Sequence, residues 1–316
     1  MSYTIASEKA KTLRQSMTLA EQIGRTPLIR LNRSLPQDLS NRLEIYAKAE
    51  WLNPGGSVKD RPAYRMIMQG IQSGIFKKGQ ILIDSTSGNT GIAYAMIGAV
   101  MGFPVELVMP ENISIERKKM VEAYGAKIIY SDPLLSSDGA RELVTEIVNQ
   151  NPAHYFFPDQ YSNSDNWKAH YETTGPEIWK DTACRITHFV AGMGTSGTIM
   201  GTGRFLKEQN PEIQIVAIQP ESFHGLEGLK NMDSAIPVKI YDASVHDLKI
   251  TIPTEPGYVW TRELALKEGL FVGPSSGADL YGALQMLQNQ NVKEGVVVII
   301  FPHGGDKYLS TQVWEL

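Results

Sequence analysis

Cysteine is nearly absent from this 316-residue chain, in which Cys184 is the single example. One thiol cannot form an intrachain disulfide, so a disulfide framework is excluded and a reducing compartment is favoured. We expect Cys184 to be a small, buried or half-buried filler. The six histidines show no close metal-ligand spacing with one another or with Cys184, and we therefore predict no metal site.

A strong charge of either sign is also lacking. The formal net charge is −4 and no dense basic block occurs, so we expect no nucleic-acid partner. Residues 1–22 carry charges throughout and contain no apolar run typical of a signal peptide. The most apolar window, residues 92–109, is interrupted by two glycines, a proline and a glutamate, which favours a buried helix and strand over a membrane span. We expect a soluble, cytoplasmic protein that does not bind a membrane.

Short apolar runs alternate with longer helical patterns along most of the chain. This alternation predicts an α/β protein with right-handed βαβ units and mainly parallel sheets. The predicted strands span residues 81–86, 105–109, 127–131, 154–157, 186–191, 213–218 and 295–301; the predicted helices span 90–101, 114–124, 138–150, 165–179, 198–209, 255–268 and 278–290.

The alternation forms two blocks, which predict two doubly wound βα domains with a ligand-binding cleft between them. The run over residues 295–301 is almost continuously apolar, as in a strand buried on both faces. Residues 221–247 show only weak periodicity, and we interpret them as a functional or mobile loop.

One lysine lies in a turn rich in glycine and proline, within the stretch NPGGSVKDR at residues 53–61. The proline restricts the backbone, and the two glycines permit positive φ or a close approach to a ligand. A lysine that is partly buried in such a turn can lose its proton near neutral pH and form a Schiff base with a carbonyl group. Lys59 is therefore a candidate nucleophile, although an ordinary surface lysine is the alternative.

Two further loops connect a predicted strand to a predicted helix. TSGNTG at residues 86–91 offers hydroxyls, a carboxamide and free helix N–H groups, which suit a carboxylate; simple N-capping is the alternative. GMGTSGT at residues 192–198 suits a phosphate, because backbone N–H groups and the helix dipole point at an anion. It also matches the dinucleotide pattern G-x-G-x-x-G, but the next predicted strand does not end in the acidic residue that a ribose requires. GPSSG at residues 273–277 is another turn of this kind, for which N-capping is again the alternative.

The three motifs at residues 53–61, 86–91 and 192–198, in this order, resemble those of the cysteine synthase family of pyridoxal-phosphate enzymes. The resemblance extends from about residue 23 to about residue 311. It implies the fold of the tryptophan synthase β-like enzymes. It also implies a smaller, mobile domain over residues 45–155, and a larger domain over residues 1–44 and 156–316 that holds the cofactor phosphate.

The resemblance also implies a role for individual residues. Lys59 would hold pyridoxal 5′-phosphate as a Schiff base and then remove the substrate's α-proton. The hydroxyl of Ser275 would face the ring nitrogen of the cofactor, where it favours β-elimination over transamination. Asn89 would bind the 3′-oxygen. The cofactor phosphate would be bound by Gly194, Thr195, Ser196, Gly197 and Thr198, and the substrate carboxylate by Thr86, Ser87, Thr90 and, in a less typical sequence context, Gln160.

The activity implied is the replacement of the acetoxy group of O-acetylserine by sulfide to give cysteine. The segments at residues 228–233 and 238–242 resemble the cysteine synthase B subgroup. Lys230 could instead bind a substrate phosphate, which would favour O-phosphoserine, unless Glu227 and Asp233 neutralise it as a surface lysine. A cystathionine β-synthase-like activity or a serine/threonine dehydratase also fits this family. A homodimer is expected, with a serine acetyltransferase or a sulfur-carrier protein as a possible partner.

Two other classes of protein are alternatives to this interpretation. A Rossmann oxidoreductase would use residues 192–198 for a dinucleotide, and it should lack the visible absorbance of a Schiff base. A catalytically idle binding protein on the same fold is the second alternative. The presence of Lys59, Asn89 and Ser275 argues against it.

Overall fold

The computed structural model describes residues 18–86 and 88–315. In that part of the chain ten strands alternate with ten helices. The strands are β1 (Leu28–Arg30), β2 (Leu43–Ala49), β3 (Ile81–Ser85), β4 (Val105–Pro110), β5 (Lys127–Ser131), β6 (Tyr155–Phe156), β7 (Ile186–Gly192), β8 (Gln214–Pro220), β9 (Leu248–Ile252) and β10 (Gly295–Phe301). The helices are α1 (Gln37–Ser40), α2 (Asp60–Gln72), α3 (Asn89–Met101), α4 (Ile115–Ala123), α5 (Ser136–Gln150), α6 (Ser164–Glu172), α7 (Thr174–Asp181), α8 (Gly197–Gln209), α9 (Thr254–Glu263) and α10 (Pro274–Asn289).

The strands form two sheets. The larger sheet has six strands in the order β1-β2-β10-β7-β8-β9, and all its pairs are parallel except β1 with β2. Separate apolar clusters cover its two faces, one packed under α9 and α10 and the other under α7 and α8. Strand β10 lies in the middle, and its side chains from Val296 to Phe301 are buried. The prediction of a strand buried on both faces is thus confirmed.

The smaller sheet has four parallel strands in the order β5-β4-β3-β6. Helices α2 and α3 pack on one face and α5 on the other. The predicted α/β class with mainly parallel sheets is confirmed. Among the described residues, no helix is long and apolar enough to cross a membrane.

Several predicted elements differ in detail. The helix predicted over residues 165–179 is two helices, α6 and α7, which meet at Thr173. Pro176 has no N–H to donate to the previous turn, so one continuous helix could not be fully hydrogen-bonded there. The helix predicted over 255–268 ends as α9 at Glu263 and continues as a short π-helical turn. Strands β1, β2 and β9 were not predicted, since each is paired with a strand remote in sequence or lies at the sheet edge.

Strand β2 crosses the domain boundary that was expected at residue 45. It pairs with β10 over all seven of its residues, so residues 43–49 belong to the larger sheet. The division into a smaller and a larger domain stays a prediction, and its first boundary moves to a position after Ala49.

Cys184 is exposed, so the expectation that it fills a buried or half-buried position was wrong. It lies between α7 and β7, where Ala183 and Cys184 both have positive φ, 51° and 62°. Such a tight reversal on the surface leaves the side chain no core to enter.

Candidate active site

A cleft of about 1040 Å³ opens at the carboxyl ends of the parallel strands of both sheets. Ligands of open parallel sheets bind at this edge, because the loops that follow each strand converge there. Most of the predicted site residues line the cleft, namely Lys59, Thr86, Asn89, Thr90, Gln160, Gly194, Thr195, Thr198, Lys230 and Ser275.

Lys59 is the last residue before α2 and is held by a tightly packed turn. Gly56 has a φ of +74°, and a Cβ there would lie 2.4 Å from Nζ of Lys307, so glycine is required. The N–H of Gly55 donates to Asp60, and the N–H of Val58 donates to the carbonyl of Pro302 at 2.7 Å. These bonds fix the direction in which the lysine leaves the backbone.

Burial lowers the pKa of the Lys59 amine to about 8. Desolvation disfavours the charged form, and no carboxylate within the described residues forms an ion pair with Lys59 to offset it. A lysine with such a pKa is partly neutral near physiological pH. It can act as a nucleophile toward a carbonyl or as a base.

Thr86 organises the loop between β3 and α3. Its buried hydroxyl oxygen accepts hydrogen bonds from the N–H groups of Gly88, at 3.0 Å, and Gly91, at 3.2 Å. The oxygen therefore partly caps the N-terminus of α3. The hydroxyl hydrogen has no acceptor among the described residues. That hydrogen is available to an anion in the cleft. Ser87, predicted to act with Thr86, lies outside the described residues.

Thr90 and Gln160 meet across the cleft floor. The hydroxyl of Thr90 donates to Oε1 of Gln160 at 2.8 Å, and Nε2 of Gln160 donates to the carbonyl of Ser85 at 2.7 Å. Gln160 is buried and its carbonyl accepts from Asn166 at 2.6 Å. The structure thus brings Gln160 to the loop with which the sequence resemblance grouped it.

Asn89 is the first residue of α3, and its amide nitrogen donates to the hydroxyl of Tyr308 at 3.0 Å. Its amide oxygen is buried and has no hydrogen-bond partner among the described residues. An acceptor left in this state costs free energy unless a ligand supplies a donor.

The loop before α8 packs closely against two other segments of the chain. A Cβ at Gly194 would lie 2.4 Å from the carbonyl oxygen of Gly228, and one at Gly197 would lie 1.9 Å from Oδ1 of Asn166. Ser196 has a φ of +65°, and its buried hydroxyl has no partner among the described residues. Thr195 and Thr198 face the cleft, whereas Ser196 and Gly197 lie behind them at the helix start.

Ser275 is the second residue of α10, and its side chain does not cap that helix. Its hydroxyl donates to the carbonyl of Glu227 at 3.0 Å and lies 3.1 Å from Nε2 of His303. Burial, reinforced by the nearby cations Lys307 and Lys59, lowers the pKa of His303 well below its ordinary value. The imidazole is therefore neutral and can donate its Nε2 proton to the serine oxygen.

Lys230 lines the cleft and forms an ion pair with Asp138 at 2.7 Å, with its ammonium group over the ring of Tyr161. The two neutralising partners suggested from sequence were wrong. Glu227 pairs with Arg117, and Asp233 pairs with Lys249.

Four residues of the site carried no assignment from the sequence. Arg117 packs against Gly88 and over the ring of Tyr308. His303 lies within hydrogen-bond distance of Ser275, and Asn166 donates a hydrogen bond to Gln160. Their contacts span large sequence separations, and nothing local marks them. The position of His303 directly after β10, at the sheet edge where ligands bind, was the one usable signal.

Comparison with known proteins places this geometry in context. Residues 19–303 match the family described as "Pyridoxal-phosphate dependent enzyme". The chain belongs to this family.

The relatives of this pyridoxal-phosphate enzyme share most of its length. It is 52% identical to a cysteine synthase of Aquifex aeolicus, over 94% of this chain and 92% of that protein. It is 44% identical to cysteine synthase B of Escherichia coli, over 94% and 96%. Among solved structures, a cysteine synthase of Entamoeba histolytica superposes with a TM-score of 0.89 at 33% identity, covering 100% and 95% of the two chains. An O-acetylserine-dependent cystathionine β-synthase of Helicobacter pylori gives a TM-score of 0.86 at 35% identity, covering 96% and 100%.

The cleft of this enzyme fits pyridoxal phosphate. One buried acceptor of the cleft without a partner among the described residues, Oδ1 of Asn89, lies where a polar ligand would satisfy it. The glycines at 194 and 197 let the carbonyl of Gly228 and the side chain of Asn166 pack against the start of α8, and a helix N-terminus of this kind can bind a phosphate. Within the described ranges, no group of three or more histidine, cysteine, aspartate or glutamate side chains could hold a metal ion.

Proposed function

We propose that this enzyme is a cysteine synthase that replaces the acetoxy group of O-acetylserine by sulfide. The observation that carries the proposal is one cleft that combines three features. These are a lysine with a pKa of about 8, a helix N-terminus free for a phosphate, and a hydroxyl-rich loop suited to a carboxylate. The names of the relatives support the same activity.

Lys59 would hold the cofactor covalently through Nζ. The loop from Gly194 to Thr198 would bind its phosphate, Asn89 its 3′-oxygen, and Ser275 would lie at the side of the ring nitrogen. When bound, pyridoxal phosphate supplies an electron sink for the bond that breaks at the substrate's Cα.

Lys59 would also act as the base at Cα. Because burial has already lowered the pKa of its amine, the neutral form needed to accept the α-proton is accessible near physiological pH. Lys59 lines the same cleft as both loops, so its amine could reach the α-proton of a substrate held there.

The substrate carboxylate would be bound by Thr86, Ser87 and Thr90 together with Gln160. The hydroxyl hydrogen of Thr86 lacks an acceptor among the described residues and could donate to that carboxylate. Gln160 positions Thr90 through the 2.8 Å hydrogen bond between them. The leaving group then extends toward the loop at residues 222–231, which forms the other side of the cleft.

O-phosphoserine is a second candidate substrate because Lys230 lines the cleft. A substrate phosphate would have to compete with Asp138 for Lys230. That competition lowers the binding free energy expected from a contact between the lysine and the phosphate. The H. pylori neighbour supports a cystathionine β-synthase-like reaction as a further alternative. In that reaction the thiol of an amino acid takes the place of sulfide. We further propose a cytoplasmic homodimer, with a serine acetyltransferase or a sulfur-carrier protein as possible partners.

A spectral titration tests the proposal. The purified, cofactor-loaded enzyme is titrated with O-acetylserine, O-phosphoserine and serine, and cysteine is quantified after sulfide is added. We expect O-acetylserine to change the cofactor absorbance at the lowest concentration and to yield cysteine. Lys59→Ala should do neither. Absence of cysteine from every substrate in the wild type would overturn the proposed function.

A further inference from the structure

One buried side-chain amide joins two parts of the cleft. Asn166 is the third residue of α6 and is 1% exposed. Its Nδ2 donates to the carbonyl of Gln160 at 2.6 Å and to the hydroxyl oxygen of Thr195 at 3.1 Å. Gln160 and Thr195 both line the cleft, whereas Asn166 lies behind them. Both hydrogens of one amide group are therefore shared between two segments of the site.

The orientation of this amide follows from its partners. A carbonyl oxygen can only accept, so the atom 2.6 Å from the carbonyl of Gln160 must be the nitrogen of Asn166. Oδ1 then faces the start of α8, where a Cβ at Gly197 would lie 1.9 Å from it. This oxygen is buried and has no hydrogen-bond partner among the described residues. An acceptor in this state costs free energy, but reversing the amide would bring its oxygen against the carbonyl of Gln160.

At the smaller sheet, Asn166 fixes the position of Gln160. The main-chain carbonyl of Gln160 is held by Asn166. The side chain of Gln160 donates to the carbonyl of Ser85 at 2.7 Å and accepts from the hydroxyl of Thr90 at 2.8 Å. A displacement of Asn166 would therefore move Gln160 and, through it, the hydroxyl of Thr90.

At the larger sheet, Asn166 orients the hydroxyl of Thr195. The oxygen of Thr195 accepts from Asn166, and its hydrogen has no acceptor within the described part of the chain. That hydrogen is available to an anion, because Thr195 lines the cleft. A Cβ at Gly201 in α8 would lie 2.0 Å from the carbonyl oxygen of Trp167 in α6. The two helices are thus in close contact beside Asn166, which leaves the amide little freedom to move.

We propose that Asn166 is a positioning residue that couples binding of the substrate carboxylate to binding of the cofactor phosphate. This rests on the proposed function, which assigns the phosphate to the loop with Thr195 and the carboxylate to Thr90 and Gln160. A phosphate that holds Thr195 restrains Asn166, and a restrained Asn166 keeps Gln160 in place for the carboxylate. The coupling is reciprocal, because each ligand must change the affinity for the other by the same factor.

Asn166→Leu removes both donated hydrogen bonds and keeps a side chain of similar size. We expect the dissociation constants of the cofactor and of a carboxylate ligand both to rise by about two- to tenfold, as for one neutral hydrogen bond lost at each site. Asn163→Ala is the matched control. Asn163 caps the same helix and donates to the carbonyl of Pro158 at 2.9 Å, but within the described ranges it forms no hydrogen bond with Gln160 or Thr195.

Phosphorus NMR of the cofactor-loaded enzyme tests the coupling. The ³¹P resonance of the cofactor phosphate is recorded while propionate is added to saturation, since this carboxylate has no amine and cannot react with the cofactor. Saturation-transfer NMR of the propionate protons measures its binding independently. We expect bound propionate to shift the phosphate resonance in wild type and in Asn163→Ala, and to leave it unchanged in Asn166→Leu.

Three results would overturn the proposal: no response of the phosphate resonance to bound propionate in wild type, a wild-type response in Asn166→Leu, or loss of the response in Asn163→Ala as well. If Asn166→Leu fails to hold the cofactor or propionate, a crystal structure of the wild-type holoenzyme with propionate decides. Asn166 should then donate to both Gln160 and Thr195 while Thr195 contacts the cofactor phosphate, and the absence of any of these contacts would contradict the coupling. The proposed function fails separately, because a wild type that forms no cysteine refutes the activity even where its phosphate resonance responds to propionate.

Discussion

Lys59 is buried and forms no ion pair with a carboxylate of the described residues, which lowers the pKa of its amine. This predicts that the rate of cofactor loading depends on pH. The neutral amine is the form that attacks the cofactor's aldehyde, and its fraction rises as the pH passes through the pKa of about 8. Cofactor loading of the apoprotein should therefore reach half its maximal rate near pH 8.

The rate of absorbance change on mixing with pyridoxal phosphate, followed from about pH 6 to about pH 10, checks this prediction. The rate measured with lysine that is acetylated at its α-amine, under the same conditions, corrects for titration of the cofactor. A rate that keeps climbing with that of free lysine, without a plateau, would show that Lys59 has an ordinary pKa.

Thr86 combines two roles, and substitutions test the role toward the substrate. Thr86→Ala removes the hydrogen that we assign to the substrate carboxylate, and it also removes the acceptor for Gly88 and Gly91. A hydrogen bond to a charged group contributes about 1.5–3 kcal/mol, so KM should rise by roughly tenfold or more. Thr86→Ser keeps the hydroxyl and should stay near wild type. Loss of the cofactor from Thr86→Ala, with unchanged substrate affinity in the remaining holoenzyme, would refute the role.

Lys230 decides between leaving groups. If it binds a substrate phosphate, Lys230→Ala should lower kcat/KM for O-phosphoserine by about ten- to a hundredfold and leave O-acetylserine unaffected. Lys239→Ala, an exposed lysine on the same loop, serves as the control. Equal responses to both substrates, or no turnover of O-phosphoserine by the wild type, would leave O-acetylserine as the substrate.

Among the helices and strands, a buried ionic cluster joins the residue after β2 to α2 and α7. Arg61 forms ion pairs with Glu50 at 2.8 Å and with Glu177 at 2.7 Å. Breaking a buried ion pair costs about 3–5 kcal/mol, because a charge remains buried without its partner. Arg61→Ala should lower the free energy of unfolding by about that amount. The exposed pair of Arg185 and Glu44 is a matched control, and Arg185→Ala should cost about 1 kcal/mol or less.

The same cluster has a pH signature. Burial alone would raise the pKa of Glu50, but Arg61 outweighs it and lowers the pKa to about 2 from 4.5. Because the folded-state pKa is depressed, this stability is present above about pH 4.5 and is lost as the pH falls toward 2. Denaturation curves of wild type and Arg61→Ala should converge on acidification, and a constant difference would contradict this account.

Some parts of the site could be predicted from local sequence, and others could not. The turns around Lys59, residues 86–91 and Ser275 were predictable, because glycine, proline and hydroxyl residues mark a strand-to-helix loop by themselves. The bond from Ser275 to Glu227 and the pair of Arg117 with Glu227 depend on how distant segments pack. The same is true of β2, whose partner β10 is remote in sequence.

For the whole molecule, two sheets direct their carboxyl ends into one cleft, which explains how loops far apart in sequence serve one reaction. The smaller sheet contributes the loop at residues 86–91, and the larger sheet contributes residues 194–198, Ser275 and His303. Lys59 stands between them at the start of α2. A lysine at that junction would reach both the cofactor that we propose on the larger sheet and the substrate that we propose on the smaller one.

Borohydride reduction of the loaded enzyme, followed by peptide mapping, shows whether Lys59 carries the cofactor. We predict a pyridoxyl group on the peptide that contains Lys59 and on no other lysine. Lys48 and Lys307 are buried as well, so the map distinguishes burial alone from the proposed site. A pyridoxyl group on either of them, or on none of the lysines, would contradict the account.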